Sequence, residues 1–248
     1  MDKELRSRTR QQSAVAELGD LALSGIGEDA LFETAAARIV ESLEVDASGV
    51  LELLPGGAAL LLRAGAGWRH GLVGRATLGS GLESHAGYAL DRNEPVIIAD
   101  LRTETRFRPP PLLRDHGMLS GVSVLIRGDG VPWGVLGAYT KARRGFTPDD
   151  VQFLQGAANI LALAHRHRRQ EIARQQRTVL LGRLSRRERE VLKLLAAGAS
   201  NRDIAARLGV KYTTVRSYVR ALIEKLDAHS ALEAVAHAHA YDLVEDET

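Results

Sequence analysis

Two arginines four residues apart, Arg216 and Arg220, are the side chains of this sequence best suited to recognise another molecule. Both lie in "YTTVRSYVRALIEKL" (212–226), a segment with the spacing of an amphipathic helix. The guanidinium group is a planar fork that can bond the O6 and N7 atoms of a guanine together. Two interpretations are open at this point: the arginines form the solvated face of an ordinary helix, or they are directed at a nucleic acid.

The two faces of this segment differ in chemistry when residues are placed at about 100° intervals. The apolar face consists of Val215, Val219, Leu222 and Leu226. The opposite face consists of Thr213, Arg216, Ser217, Arg220 and Glu224. Short polar groups and arginines near the N-terminal end of a helix are typical of a helix that reads base edges in the major groove, so the pattern favours the second interpretation.

Capping pairs predict the helices that must hold this segment in place. The pairs of Ser-x-x-Glu type or its looser Asp form are Ser185–Glu188, Ser200–Asp203 and Ser230–Glu233. Gly198 and Gly209 lie where helices are expected to end. The predicted helices cover 186–197, 201–208, 212–226 and 231–243. Two short helices around a tight turn, with the 212–226 helix second, form a helix-turn-helix.

Charge is concentrated in the same part of the chain. Residues 1–165 contain 17 Lys/Arg and 20 Asp/Glu, a net charge of −3. Residues 166–225 contain 16 basic and 5 acidic residues, a net charge of +11, and residues 226–248 carry −6. A positive block of this kind is typical of a segment that binds a polyanion.

The first 165 residues predict a domain of a different class. Helical spacing over the first 25 residues and over 28–44 gives way to the hairpins 49–63 and 121–140, a short helix near 81–92 and a strand over 95–100. The Asp129-Gly130 pair supplies the positive φ angles of a tight hairpin turn. We therefore predict an α+β domain with an antiparallel sheet flanked by helices.

A long helix is predicted to join the two parts. Thr147 is a good N-cap and Pro148 suits the first helical position. One stripe of this helix, here called the seam, has residues at alternating steps of three and four. The seam continues through His165, Arg168, Ile172, Gln175 and Val179. Because this continuation is mostly polar, we interpret it as a connecting helix that could form a weak parallel dimer stalk.

The C-terminal region resembles the LuxR/FixJ-type helix-turn-helix over residues 184–238. The matching positions are Leu184, Arg187-Glu188, Glu190-Val191-Leu192, Gly198, Ser200-Asn201, Ile204-Ala205, Leu208, Thr214-Val215, Lys225-Leu226 and Glu233-Ala234. The base-reading residues that the resemblance implies are Arg216, Ser217 and Arg220. The backbone contacts that it implies are Thr213, Thr214 and Lys225. It also implies dimerisation through the last helix.

Lys211 departs from that family, which usually has serine at this position. A lysine side chain cannot accept a backbone N–H bond, so we expect a weaker or shifted cap on the recognition helix. Lys211 could contact a DNA phosphate instead.

The N-terminal region resembles a GAF domain over about residues 26–165. The matching features, in order, are Asn93-Glu94-Pro95, Ile98-Ala99-Asp100, Arg106-Phe107, His116-Gly117 and Phe146-Thr147. The resemblance implies a sheet of about six antiparallel strands, with helices on one face and a ligand pocket under loops on the other.

The ligand of this domain is not identified by the sequence. The candidate pocket residues are Trp68, His70, His85, Tyr88, Phe107, Met118 and Trp133, although for each one ordinary packing is an alternative. The absence of cysteine excludes thioether-linked bilins and cysteine-based sulfoxide reduction. No metal site is expected, because the histidine pairs 165/167 and 237/239 diverge on helices. A small-molecule effector of unknown identity is the remaining expectation.

We therefore expect four segments: an N-terminal helix (1–25), a GAF-like sensor domain (26–165), a helical linker (166–182) and an all-α four-helix domain with the helix-turn-helix (183–248). The predicted function is that of a cytoplasmic transcriptional regulator that binds double-stranded DNA as a homodimer, with RNA polymerase as a further partner. No membrane association is expected, since the chain has no apolar run of about 20 residues and no secretory signal.

Two other functions are considered. GAF domains are also joined to helical antitermination modules that bind RNA, but those modules lack the recognition-helix pattern. A catalytic GAF domain is the second alternative. No paired carboxylates or nucleophile elbow can be placed in the sequence, and the glycine-rich stretch 64–81 lacks the strand–loop–helix context of a phosphate loop, so we expect no enzyme.

Overall fold

The computed structural model describes the backbone of residues 2–244 and the side chains of residues 4–244. It divides into two compact units between His167 and Arg168. Unit 1 is an α+β unit and unit 2 is all-helical, so the predicted fold class is confirmed.

Unit 1 is built on one antiparallel sheet of six strands in the order β3-β2-β1-β6-β5-β4. The strands are β1 Ala47–Leu53, β2 Ala59–Ala66, β3 Thr77–Gly79, β4 Val96–Ile98, β5 Ser120–Ile126 and β6 Gly134–Thr140. The helices up to the last strand are α1 Asp2–Leu23, α2 Glu28–Leu43, α3 His85–Arg92 and α4 Pro111–Arg114. Both predicted hairpins are present. Strand β3 and helix α4 are additions that the sequence analysis did not predict.

The two faces of the sheet bury different clusters because side chains alternate along each strand. On β5 and β6, Val122, Val124 and Leu136 belong to a cluster with α1, α2 and the helix that follows β6. Leu125 and Tyr139 belong to a second cluster, with α3, α4 and the loop after β2. The second face is therefore covered by two short helices and by loops, and below it is called the loop-covered face.

Helix α5 (Pro148–Arg183) runs without a break from unit 1 into unit 2. Its start is capped in both directions. The backbone N–H of Asp150 donates to Thr147 Oγ1 at 3.2 Å, and the backbone N–H of Thr147 donates to Asp150 Oδ2 at 3.0 Å. The predicted cap at Thr147 is confirmed, and burial along the helix ends at Ala162.

Unit 2 contains α6 Arg186–Ala196, α7 Asn201–Leu208, α8 Tyr212–Lys225 and α9 Ala231–Ala240. The capping boxes at Ser185 and Ser200 are complete, including the one that the sequence analysis treated as looser. Gly209 ends α7 with φ +64°, the left-handed conformation that glycine adopts readily.

The predicted capping box at Ser230 is only half formed. Ser230 Oγ accepts the backbone N–H of Glu233 at 3.1 Å, but the Glu233 carboxylate accepts the backbone N–H of His229 at 2.7 Å. The φ angle of Ser230 is −151°, whereas the caps of α6 and α7 have −66° and −71°. The fully extended backbone turns the N–H of Ser230 away from the Glu233 side chain, so this part of the prediction was wrong.

Candidate nucleic-acid interface

Helix α8 is supported along one side by the rest of unit 2. Val215 and Leu222 are fully buried, and α6, α7 and α9 all pack against this helix. Arg216, Ser217 and Arg220 are exposed on the opposite side. The structure therefore brings the three predicted base-reading residues together on one exposed face of a helix that is packed along its other side.

The start of α8 has the backbone geometry of a cap without the side-chain bond. Lys211 occupies the N-cap position with φ −71° and ψ 148°, and its side chain accepts no hydrogen bond. Its carbonyl oxygen accepts the N–H of Thr214 at 2.9 Å, which closes the first turn. The expected weaker cap is thus present, and the lysine side chain is exposed. Thr213, predicted to contact the DNA backbone, is exposed beside it, and Thr214 is half-buried.

Lys225 has a role inside the protein that the sequence analysis did not predict. Its ammonium group donates to both carboxylate oxygens of Glu188, at 2.8 and 2.7 Å. Among the seven residues predicted to contact DNA, it is therefore the one with a carboxylate partner in the described structure. Its implied contact with the DNA backbone stays a prediction.

The candidate ligand residues of unit 1 separate into a group and two outliers. The group lies together on the loop-covered face of the sheet and consists of Trp68, His85, Tyr88, Phe107 and Met118. Trp133 lies on the other face, where its ring contacts Phe32 at 5.4 Å and His165 at 4.6 Å between centroids. His70 is exposed in the loop after β2.

Trp133 and His70 thus lie apart from the other five candidates, and their role in a ligand pocket stays a prediction. Trp133 precedes β6, in the connection from β5, so the alternation of that strand does not determine the side on which its ring lies. His70 follows Trp68 by two residues in a turn, and only the tryptophan of the two folds back onto the sheet.

Two strand residues absent from the prediction complete the group. The Tyr139 hydroxyl lies 2.7 Å from His85 Nε2 and 3.1 Å from Ser123 Oγ. Burial lowers the pKa of His85 to about 4 and raises the pKa of Tyr139, so both groups are neutral near pH 7. His85 Nδ1 is buried without a hydrogen-bond partner among the described residues. An unpaired buried nitrogen costs about 1–3 kcal/mol, unless a water or a ligand atom binds it.

Small residues on the sheet make room for these rings. A Cβ atom on Gly137 would lie 2.0 Å from the Tyr139 hydroxyl oxygen, and one on Gly121 would lie 2.5 Å from the same ring. A Cβ atom on Gly65 would lie 2.6 Å from Trp68, whose indole N–H donates to the Ser48 carbonyl at 2.7 Å. The face beneath the loops is therefore lined by aromatic side chains that lie close to the strands.

No cluster of three or more His, Asp or Glu side chains in residues 2–244 is arranged to hold a metal ion. No helix in that range combines the length and the apolar character needed to cross a bilayer.

Comparison with known proteins assigns both units. Residues 28–165, more than half of the chain, match the model of the GAF domain, and residues 182–238 match that of bacterial regulatory proteins of the luxR family. The transcriptional regulatory protein DesR of Bacillus subtilis is 40% identical over 55 residues, which are 22% of this chain and 28% of that protein. The nitrate/nitrite response regulator protein NarL of Escherichia coli is 37% identical over 59 residues, or 24% and 27%. The matched part thus spans little more than a quarter of these relatives.

Solved structures show the fold of unit 1. The GAF domain of a phosphoenolpyruvate-protein phosphotransferase from Coxiella burnetii has a TM-score of 0.61 and 20% identity, and covers 67% of this chain and 98% of its own. Free methionine-R-sulfoxide reductase from Neisseria meningitidis has a TM-score of 0.57 and 18% identity, covering 65% and 91%. The chain belongs to the GAF-domain family, and its GAF domain is followed by a helix-turn-helix domain of the bacterial luxR regulatory family.

Proposed function

We propose that this chain is a cytoplasmic transcriptional regulator that binds double-stranded DNA through α8. The observation that carries the proposal is the exposure of Arg216, Ser217 and Arg220 on a helix whose opposite side is buried. A helix held in this way can enter the major groove without losing its packing, and its N-terminal half can contact base edges. The +11 charge of residues 166–225 supports the same conclusion.

The names of the relatives agree with this proposal. DesR is described as a transcriptional regulatory protein and NarL as a nitrate/nitrite response regulator. The matches extend over 55 and 59 residues of the chain. We therefore propose that the chain regulates genes through its helix-turn-helix domain and does not act as an enzyme.

Exposed apolar residues on two helices support a homodimer. Leu232 on α9 is 80% exposed, although leucine is ordinarily buried. On α5, Ile172 and Val179 are also exposed and lie seven residues apart, the repeat of a coiled-coil seam. Pairing two copies through these helices would present two recognition helices to two half-sites of one duplex.

Unit 1 is proposed to control that dimer. The neutral pair His85–Tyr139 and the unpaired His85 Nδ1 would suit a small, uncharged polar atom of a ligand on the loop-covered face. A ligand changes the dimer only if it binds one arrangement of the two copies more tightly than the other. If no ligand binds, the domain serves dimerisation alone.

The experiment that tests the proposal is selection of duplexes by the full-length protein from a random library, followed by fluorescence anisotropy at several salt concentrations. We expect a selected sequence whose affinity falls steeply with salt. Arg216→Ala should weaken binding to that sequence by about 1–3 kcal/mol and leave nonspecific binding mostly intact. The matched control is Arg186→Ala, which removes a highly exposed arginine from another helix of the same unit. Salt-independent binding, or no selection at all, would contradict the proposal.

A further inference from the structure

Tyr212 is an exposed aromatic residue at the first position of α8. It is 46% exposed and lies outside the hydrophobic cluster of unit 2. Within residues 2–244, its hydroxyl group has no hydrogen bond and its ring has no aromatic or guanidinium contact. The folded unit therefore gains little from this side chain.

The position of Tyr212 places it in the row of the two recognition arginines. Residues four apart on a helix are offset by about 40°, so Tyr212, Arg216 and Arg220 form one exposed row that drifts slowly around the helix. Val215 and Leu222 point into the core on the other side. A duplex that contacts the two arginines would therefore also contact the tyrosine.

The charge around Tyr212 indicates which partner covers it. No Asp or Glu occurs from residue 204 to residue 223, whereas that stretch contains Arg207, Lys211, Arg216 and Arg220. Glu224, the next exposed residue of this row, lies about 18 Å of helix rise beyond Tyr212, so the charged residues nearest to the ring along the chain are basic. An exposed ring among basic residues is complementary to a polyanion rather than to an ordinary protein surface. The ring and the arginines are thus expected to share one partner, the duplex.

We propose that Tyr212 is a specificity-determining residue whose ring packs on the methyl group of a thymine in the major groove. The inference rests on the proposed function and adds one base to the sequence that α8 reads. The C5-methyl of thymine is the apolar group that bases present in that groove, and aromatic side chains contact it. Four residues of helix rise by about 6 Å and base pairs stack about 3.4 Å apart, so this thymine lies within about two base steps of the base that Arg216 contacts.

The test replaces that thymine by deoxyuridine, which lacks the methyl group, in the sequence selected by the wild-type full-length protein. We expect the wild type to bind the uracil duplex about four-fold more weakly, the ratio that corresponds to about 0.8 kcal/mol for one buried carbon. Tyr212→Ala should bind both duplexes equally, and Tyr212→Phe should keep the discrimination. Tyr241→Ala, which truncates an aromatic residue at the end of α9, is the matched control and should also keep it.

Other outcomes overturn the proposal in distinguishable ways. If Tyr212→Phe binds the duplex as weakly as Tyr212→Ala, and if uracil does not change the affinity of the wild type, the hydroxyl group contacts a phosphate. If Tyr212→Ala changes nothing, or the selected half-site has no thymine at that distance, the ring reads no base. If the wild type selects no sequence, DNA binding itself fails in the first measurement, before any variant is compared.

Discussion

Lys225 Nζ lies 2.8 and 2.7 Å from the two carboxylate oxygens of Glu188, which joins the last turn of α8 to the first turn of α6. The same carboxylate accepts the backbone N–H of Ser185 at 2.7 Å. Burial, the largest single influence, raises the pKa of Glu188, but the hydrogen bonds from Lys225 and Ser185 together outweigh it, so the pKa lies below its usual value. One buried carboxylate thus caps α6 and fixes the end of the recognition helix.

Replacing Lys225 by methionine should destabilise unit 2 by about 2–3 kcal/mol, because it leaves the buried Glu188 carboxylate without its cationic partner. Hydrogen exchange of α6 and α8 amides in the full-length protein measures the change. The lowered pKa of Glu188 means that the carboxylate contributes stability above its unfolded pKa near 4.3 and loses it as the pH falls through the lower folded value. The difference between variant and wild type should therefore shrink in acid.

Arg186→Met is the control for this change, since Arg186 is highly exposed and should shift stability by less than about 0.5 kcal/mol. The contrary outcome for the Lys225 variant would be unchanged stability and a weaker dependence of DNA binding on salt. In that case the slope of log affinity against log salt concentration would fall by about one. That combination would make Lys225 a phosphate contact.

Lys211→Ser should increase the stability of the folded protein and weaken its binding to DNA. The backbone at Lys211 (φ −71°, ψ 148°) already resembles the serine caps of α6 and α7, so a serine hydroxyl could accept the N–H of Thr214. We expect a gain of about 0.5–1 kcal/mol in the free energy of unfolding. Loss of the positive charge should lower DNA affinity and make its salt slope shallower by about one.

Lys211→Ala separates the two effects, because it removes the same charge without adding a cap. Anisotropy titrations at several salt concentrations and urea unfolding, run on both variants, measure the two quantities. Equal stability of the alanine and serine variants would show that the cap does not form. An unchanged salt slope in both would show that Lys211 is remote from the phosphates.

The helix-turn-helix could be predicted from sequence because its information is local. Capping serines, terminating glycines and the spacing of Val215, Val219 and Leu222 fix the helices and their inner faces. The failure at Ser230 shows the limit of this information. The capping pattern does not contain the backbone φ angle that decides whether the second bond forms.

The loop-covered face of unit 1 could not be predicted in the same way, since it depends on contacts between distant segments. Tyr139 lies in a regular buried strand and looks like a core residue, yet its hydroxyl pairs with His85 from 54 positions earlier in the chain. Strand β3 was not predicted because three residues are too short to show a period. The face on which the Trp133 ring lies could not be predicted because this residue lies outside any strand. Two glycines were a possible signal: Gly121 lies opposite Tyr139 on β5, and Gly137 precedes it by two residues on β6. Close contact with the ring excludes a Cβ atom at both positions.

His85 should make unit 1 less stable in mild acid. Its folded pKa of about 4 lies below the unfolded value near 6.5, so the unfolded chain binds the proton first and stability falls as the pH drops from about 6.5 to 4. The loss from this group is on the order of 3 kcal/mol. His85→Gln, which cannot titrate, should lack this part of the pH dependence.

Both tryptophans of the chain lie in unit 1, so tryptophan fluorescence during urea unfolding reports on that unit. The control is His70→Gln, which removes an exposed histidine and should retain the wild-type profile. The contrary result would be that the stabilities of wild type and His85→Gln change in the same way between pH 6.5 and 4. That result would show that water reaches the His85 ring in solution.

The exposed seam of α5 leads to a prediction about assembly. Ile172 and Val179 are 40% and 56% exposed and occupy equivalent positions one heptad apart. On the same seam, Arg168 precedes Ile172 and Gln175 lies between Ile172 and Val179. Two apolar layers among polar ones give a weak stalk, so the double change Ile172→Glu and Val179→Glu should shift the protein from dimer to monomer. Like charges placed in two layers of a parallel pair repel, which adds to the lost apolar contact.

Sedimentation velocity over a range of protein concentrations measures this shift, and we expect at least a ten-fold weaker dimer, corresponding to about 1.4 kcal/mol. The matched control is Gln170→Glu, which adds a negative charge to an exposed position two residues before Ile172 and away from the seam. Loss of the dimer should also abolish cooperative binding to two half-sites while single half-site contacts by α8 remain. A double variant that stays dimeric would place the interface elsewhere, and the exposed Leu232 of α9 would then be the next position to change.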